Sequence, residues 1–501
     1  MKKMIKKMAC LAAALTVICS CNDWLEATSS TQVSDATLFS SRSGFQDALC
    51  GVYISMGSNS EYGQYWTWFM NELAYGPYAS QSSPVFTGIQ NHEWENNTLV
   101  RMIEGMWHAG YFSIANINKI LYEFDEKPEV VSDATERNLM KGELLGLRAY
   151  IHFDLMRMFG LVQLGTDDFD KLTVPYVVKY DKEPTPQKSY RETLALLEGD
   201  IEEAITLLAD DPIRGNASES FLANANADGF WDARNKRMNY FAVKALKARV
   251  LLFKSALAEA AAAAQEVIDE TTAAGAFTWV DANAMTAATT NDEVDWTFST
   301  EQLFCLEVSE LQSYTDEFIF NMATLGTSAV LIDKQVADYS LFSPLFLASS
   351  EDIRGPALML KFVSDQYRPY KLYNNSSYYE GYRNRIPMIK ISEMYLIIAE
   401  VAAHSNDTAT ISNVISTIRS HRGITDPTEG VLVLGNGIEA VLLEYVKEFY
   451  GEGIPYYAAR RLFPQNNFWV DLDVVWLSKI SSLGPYPYPV DEVSYGRIQE
   501  L

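Results

Sequence analysis

Basic residues are scarce in this 501-residue chain: 40 Lys plus Arg stand against 65 Asp plus Glu, a net charge of -25 at pH 7. A nucleic-acid binder needs a basic face, so this chain would be repelled by DNA and by anionic headgroups alike. Histidine is scarcer still, and its five residues (His92, His108, His152, His404, His421) are scattered. His92-Glu93-Trp94-Glu95 opens like a zinc-protease helix, yet Asn96 stands where the second His would be needed. Cysteine is too sparse for a disulfide framework or a zinc site; beyond the N-terminal region only Cys50 and Cys305 remain, both expected as buried thiols. After residue 20 no apolar run approaches the roughly 18 residues of a membrane-spanning helix. No G-x-S-x-G elbow and no G-x-x-x-x-G-K-[ST] loop occurs, which removes two widespread hydrolase and nucleotidase signals. What is present is ordinary for a large globular core: 48% hydrophobic and 21% charged residues, which excludes global disorder.

The first twenty residues read as an export leader. Lys2, Lys3, Lys6 and Lys7 precede an apolar stretch from Met8 to Ile18, too short to span a bilayer. Ile18-Cys19-Ser20-Cys21 then resembles a bacterial lipobox, with Cys21 as the acylated first residue of the mature protein. The alternative is a plain secretory signal cut nearby.

Helical periodicity dominates the rest. Leu144, Leu147, Ile151, Leu155 and Met158 follow Asp133-x-x-Glu136 as a capping box, and Leu194, Leu197, Ile201, Ile205 and Leu208 follow Ser189-x-x-Glu192. Tyr240 to Phe253 and the Ala-rich stretch from Ala256 to Asp269 predict a helical hairpin; Ile391 to Ala402 with Ile411 to Ile418 predict another, and Ala440 to Gly451 a further helix. Such pairs resemble tetratricopeptide units whose period is broken by insertions. Between them, residues 211–236, 271–388 and 463–501 are long, irregular and rich in Gly, Asn, Ser, Pro and aromatics, as functional insertions are. One decoy occurs at Val431 to Ala440, a strand-like run into G-x-G-x-x-A. It lacks the second strand ending in an acid that a dinucleotide fold needs about 20 residues on, so the glycines read as a turn into the Ala440 helix.

Several motifs converge on one family. Leu147 to Leu155 running to Phe159-Gly160, the Ala245 to Val250 helix, and Ile386 to Leu396 running to Ala399-Glu400 resemble the SusD/RagB family of outer-membrane nutrient-binding lipoproteins. So do Ile418-Arg419 with Arg422-Gly423, the Glu448 to Gly453 turn with Arg460-Arg461-Leu462, and the closing Pro487 to Glu492. Two departures stand out: Lys390 replaces an expected Arg, and Pro455 replaces a basic residue after Glu452-Gly453. The resemblance implies a mainly α fold, a tetratricopeptide-like helical-repeat lobe packed against an irregular, loop-rich lobe that binds ligand. After the leader of residues 1–20, residues 21–501 would form one such domain. Its helix pairs would come from about 133–270 and 388–452, with ligand-binding insertions at about 58–100, 211–236 and 271–387. It further implies a non-catalytic glycan binder, peptide in some members, acting as the lid of a SusC-like TonB-dependent transporter at the cell surface, with no cofactor.

The residues can also be read for binding directly. A sugar needs aromatic platforms for its C–H face and polar side chains for its hydroxyls. The densest cluster is Tyr62, Tyr65, Trp66, Trp68, Asn71, Glu72 and Tyr75; a helix there would set Asn71 beside Trp68. The competing reading makes these tryptophans core anchors. Trp231, Asp232, Trp279, Trp296 and Tyr314 are candidates for the remaining walls, and Tyr367 to Tyr382 with Asn374, Asn375 and Arg383 for a polar aromatic rim. Two other classes stay open: a lipid-anchored helical-barrel glycosidase, for which Asp167, Asp168, Asp292, Glu293 and Asp295 supply carboxylates that must converge to about 5–9.5 Å, and a helical scaffold for protein partners.

The leader generates a first prediction. Cys21→Ala should move the protein from the membrane fraction to the soluble fraction, since acyl chains would be the main attachment. A variant that still takes up lipid label would place the anchor elsewhere.

Overall fold

The computed structural model describes residues 35–324, 327–333, 351–373, 383–428, 437–462 and 483–499. The leader, Cys21, Asn374, Asn375, Tyr378, Tyr379, Tyr382 and the glycine turn of 431–436 lie outside the described residues. The principal helices are α1 Arg42–Met56, α2 Met70–Tyr75, α3 Pro84–Gln90, α4 Asn97–Glu126, α5 Ala134–Phe159, α6 Tyr190–Leu207, α7 Tyr240–Phe253, α8 Leu257–Ala274, α9 Ile391–His404, α10 Thr408–Ser420, α11 Gly437–Phe449 and α12 Ile454–Leu462. Helix packs on helix in sequence: α1 on α4, α4 on α5, α5 on α6, α7 on α8, α9 on α10 and α11, and α11 on α12. The fold is mainly α, and the expected hairpins at 240–274 and 391–420 form.

Local chemistry explains the boundaries. Ser189 and Glu192 make the reciprocal capping box at the start of α6, with Glu192 N–H donating to Ser189 Oγ and Ser189 N–H to Glu192 Oε2. At α5 only half the expected box forms. Asp133 accepts from Glu136 N–H at 2.8 Å, but the Glu136 carboxylate is taken by Arg42 at 2.7 Å, Gln46 and the Trp231 indole. The 30-residue α4 has no counterpart among the sequence expectations. Its apolar stripe is interrupted at Gly110, where a Cβ would lie 2.6 Å from the Trp66 ring, and at Ser113, which donates to Glu61 at 2.8 Å.

Among the described residues, the irregular segments carry five short strands. β1 Gln302–Glu307 pairs antiparallel with β5 Arg385–Lys390, which runs directly into α9; β2 Ile332–Asp333, β3 Leu360–Val363 and β4 Gln366–Pro369 form a second sheet in the order β2-β4-β3. Buried side chains from helices and strands alike, from Phe45 and Leu155 to Trp296, Phe304, Leu360 and Ile386, belong to one contiguous hydrophobic cluster, so helices and irregular segments share a core. Cys305 is buried as expected, whereas Cys50 is exposed on α1, and both thiols are free.

One buried carboxyl carries a pH signature. Glu61 is fully buried, its Oε1 has no partner, and burial together with the nearby Asp154 outweighs the Ser113 hydrogen bond and raises its pKa from 4.5 to about 8. A folded-state pKa above the unfolded one gives stability that is full below about 4.5 and declines as the pH rises through about 8. Glu61→Gln should therefore flatten the fall in thermal stability between these values. At pH 8 it should exceed the unaltered protein by at least about 1.4 kcal/mol, a tenfold change in the folding equilibrium. An unchanged pH profile of the melting temperature would show that Glu61 ionises without cost.

Candidate functional site

Charged residues of several of the sequence motifs fold into buried ion pairs. Arg249 holds Glu393 through two hydrogen bonds of 2.6 and 2.5 Å, Arg148 holds Asp200 at 2.7 and 2.6 Å, and Arg461 holds Glu400 at 2.5 and 2.7 Å. Lys390, the departure from the expected Arg, reaches Glu452 at 2.8 Å and the Glu448 carbonyl at 2.9 Å. Such paired, desolvated charges fix geometry.

The predicted aromatic cluster is also structural, which corrects the expectation of a ligand platform there. Trp66 and Trp68 are 2% and 1% exposed, and Asn71 and Tyr75 are fully buried. The segment before α2 runs in turns rather than a helix, so Trp68 donates its indole N–H to the Gly63 carbonyl at 2.9 Å. Asn71 donates to the Trp66 carbonyl at 2.8 Å and accepts from the Tyr486 hydroxyl at 3.0 Å. Gly453 closes this packing: its φ is +79°, and a Cβ there would sit 2.8 Å from the Trp66 carbonyl oxygen. Trp231 is likewise buried, donating to Glu136 at 3.2 Å beneath Arg237, while its neighbour Asp232 is exposed and accepts from Asn226. These residues hold the core and present no aromatic face to a ligand. Trp279 is half-buried away from them, stacked on His421 with centroids 4.6 Å apart and planes 5° apart.

Trp296 enters a different assembly. The β3–β4 hairpin turns through Ser364 and Asp365, both with positive φ, as a two-residue hairpin of the primed type requires. The chain leaving it places Tyr370 and Tyr373 in a stack, centroids 5.3 Å apart and planes 16° apart. Phe320 meets both phenols edge-on at 5.4 Å, and Trp296 packs at 5.3 Å from Tyr370 and 6.2 Å from Tyr373. The Trp296 indole N–H is spent on the Asn291 carbonyl at 2.8 Å, which locks the ring. Tyr314 lies half-buried on the short helix before Phe320.

Lys361 on β3 supplies the charge. Its ammonium lies 5.8 Å from the Trp296 centroid and 5.9 Å from that of Tyr370, no carboxylate pairs with it among the described residues, and burial lowers its pKa. Trp296 is only 3% exposed and backs this assembly from the core, which corrects the expectation that its own face meets a ligand. The half-buried rings of Phe320, Tyr370 and Tyr373 beside an ammonium donor can stack on a C–H face and donate to hydroxyls. Phe320 and Lys361 escaped sequence reasoning: Phe320 meets the tyrosines from the turn of Asp316–Phe320, and Lys361 reaches Trp296 only through the hairpin.

Three of the carboxylates considered for a glycosidase serve local structure. Asp168 pairs with Lys171 and the Gly165 N–H, which lower its pKa; Glu293 caps Thr289; Asp295 accepts from Ser299 and is buried. Among the described residues no group of His, Cys, Asp and Glu could hold a metal ion, and no helix is long and apolar enough to cross a membrane.

Comparison with known proteins gives three findings. Residues 23–224 match a family described as starch-binding and associating with the outer membrane, and residues 354–473 match the SusD family. No curated protein matches. Solved structures align over most of the chain: a SusD superfamily protein from Bacteroides thetaiotaomicron with 19% identity, covering 92% of this chain and 99% of that one at a TM-score of 0.70; a putative sugar-binding protein from Bacteroides vulgatus with 20% identity, 84% and 87% coverage and a TM-score of 0.63; and a SusD-like carbohydrate-binding protein from the same species with 18% identity, 84% and 83% coverage and a TM-score of 0.60. At these identities the structures establish the fold.

Replacing a core tryptophan should show its structural role. Trp68→Ala should cost about 3–5 kcal/mol of folding stability, as large core truncations do, measured by denaturant titration. A Trp68→Ala protein of unchanged stability would put that ring outside the core.

Proposed function

We propose, for a chain that belongs to the SusD/RagB family, that it captures a glycan on the wall formed by Phe320, Tyr370 and Tyr373, backed by the buried Trp296, and delivers it to a SusC-like TonB-dependent transporter as that transporter's lid. The observation that carries the ligand side is the stacked Tyr370–Tyr373 pair beside Lys361, which has no carboxylate partner among the described residues. Stacked rings suit the axial C–H face of a pyranose, and the ammonium suits its hydroxyls. A net charge of -25 favours a neutral glycan over a polyanionic one. Binding proceeds without bond cleavage: the carboxyls most displaced toward neutrality, Glu61, Glu72 and Glu439, are buried and closed to substrate. On this reading Cys21 carries the lipid that holds the protein at the outer surface, and the segments that bear Phe320, Tyr370 and Tyr373 face the ligand. Trp279 and Asp232 then lie outside the ligand wall.

Calorimetry with maltohexaose, cellohexaose, xylohexaose and mannohexaose tests the claim. One of them should bind, with no reducing ends released, and Tyr370→Ala with Tyr373→Ala should weaken it at least tenfold, about 1.4 kcal/mol, at similar melting temperature. Binding that survives removal of both rings would sink the assignment of the wall, and binding of peptides alone would favour the family's peptide-binding role.

A further inference from the structure

A second aromatic pair lies on the helical side, in contact with none of the residues of the wall. Tyr122, near the end of α4, is 47% exposed, and Tyr180, in the segment after α5, is 48% exposed. Their centroids are 6.2 Å apart with planes at 41°, and they border a cleft of about 430 Å³ that also includes Asn118, Asp125, Lys141 and Arg148. That volume lies within the roughly 300–1,000 Å³ of small-ligand sites.

The cleft is built to keep its shape. Asn118 donates to the Val177 carbonyl at 2.9 Å, which pins the Tyr180 segment to α4, and its Oδ1 accepts from Arg148, itself held by Asp200. Lys119 sits 4.7 Å from the Tyr180 centroid and 5.8 Å from that of Tyr122, and is anchored by Glu123 at 2.8 Å and Asp35 at 3.3 Å. At the rim Lys141 and Asp125 stand 3.2 Å apart, so two neighbouring hydroxyls of one ring could accept from the ammonium and donate to the carboxylate. Scattered exposed tyrosines are ordinary; a pair fixed over a cleft with a donor and an acceptor at its edge is a recognition surface. Charges of both signs around it argue against nucleic acid and against an apolar partner.

We infer that the Tyr122–Tyr180 cleft is a second saccharide-binding site, so that one polymer chain can be held at two places on one protein. Two linked contacts raise avidity for a polymer far more than for a short oligosaccharide. The inference deepens the glycan-binding reading, and its test separates the two. Hexasaccharides and parent polymers from the same four series are titrated into the unaltered protein, Tyr122→Ala/Tyr180→Ala, and Tyr370→Ala/Tyr373→Ala. Asp125→Asn/Lys141→Gln serves as a second cleft variant that leaves the rings in place. The expected result is two hexasaccharides per unaltered chain, one per chain in either double tyrosine variant, and polymer affinity lowered at least tenfold by both cleft variants. One hexasaccharide per chain, lost only with Tyr370 and Tyr373, would overturn the second site and leave the wall standing. A single site lost only with Tyr122 and Tyr180 would uphold the cleft and overturn the wall. Failure of every saccharide to bind would overturn both.

Discussion

Arg354 and Arg422 meet over one carboxylate in the interior, and the arrangement of the molecule follows from that meeting. Arg422 reaches Glu448 at 2.6 and 3.0 Å and Glu301 at 2.7 and 2.8 Å; Arg354 reaches the same Glu448 at 3.1 Å, Glu444 at 2.6 Å and Asp352 at 2.8 and 2.9 Å. Lys371 and Lys390 add a second layer at Glu452, at 2.6 and 2.8 Å. None of these side chains is more than a few per cent exposed. Burial alone would raise the pKa of Glu448, but the charges of Arg422, Lys390 and Arg354 hold it well below the carboxylate range. Removing one member of such a set leaves a buried charge unpaired, which typically costs about 3–5 kcal/mol.

The participants come from distant parts of the chain. Glu444 and Glu448 are on α11 and Arg422 follows α10, whereas Asp352, Arg354 and Lys371 flank the β3–β4 hairpin and Glu301 precedes β1. The network therefore joins helices to the segments that carry Lys361, Tyr370 and Trp296. The backbone repeats the link: Ile353 N–H donates to the Arg422 carbonyl at 3.0 Å, and Tyr370 N–H to the Met359 carbonyl at 2.9 Å. A shallow aromatic wall binds only if its rings are fixed before the ligand arrives, and here the fixing is done by charges that no ligand touches. That division of labour explains why the motifs shared with the family, Arg422-Gly423 and Glu448 to Gly453 among them, describe the interior and leave the ligand unspecified.

The helices were legible because burial of one face imposes a 3.6-residue period, and Ser189-x-x-Glu192 announced its own cap. α4 was not, since Gly110 and Ser113 break its stripe where Trp66 and Glu61 pack from another segment. Trp66, Trp68 and Asn71 show the limit for sites. An indole beside an amide has one composition in a core and in a sugar site; what decided between them was Tyr486 arriving from the far end of the chain and Gly453 closing over the Trp66 carbonyl. Trp296 was legible as an aromatic in an insertion, and Tyr370 and Tyr373 as part of a tyrosine-rich run. Their meeting with Phe320 and Lys361 depends on the Lys361↔Arg368 register and on ion pairs spanning more than 90 residues, such as that of Arg354 with Glu448. Local sequence carries no trace of such pairings.

If buried charges position the wall, loosening them should release it while the helices stay folded. Native-state hydrogen exchange on Arg354→Met, read beside the unaltered protein, measures this directly. The account predicts that amides from Met359 to Tyr373 lose protection selectively, while those of α4, α5 and α7 keep theirs. Unchanged protection across Met359 to Tyr373, or an equal loss throughout the chain, would contradict it.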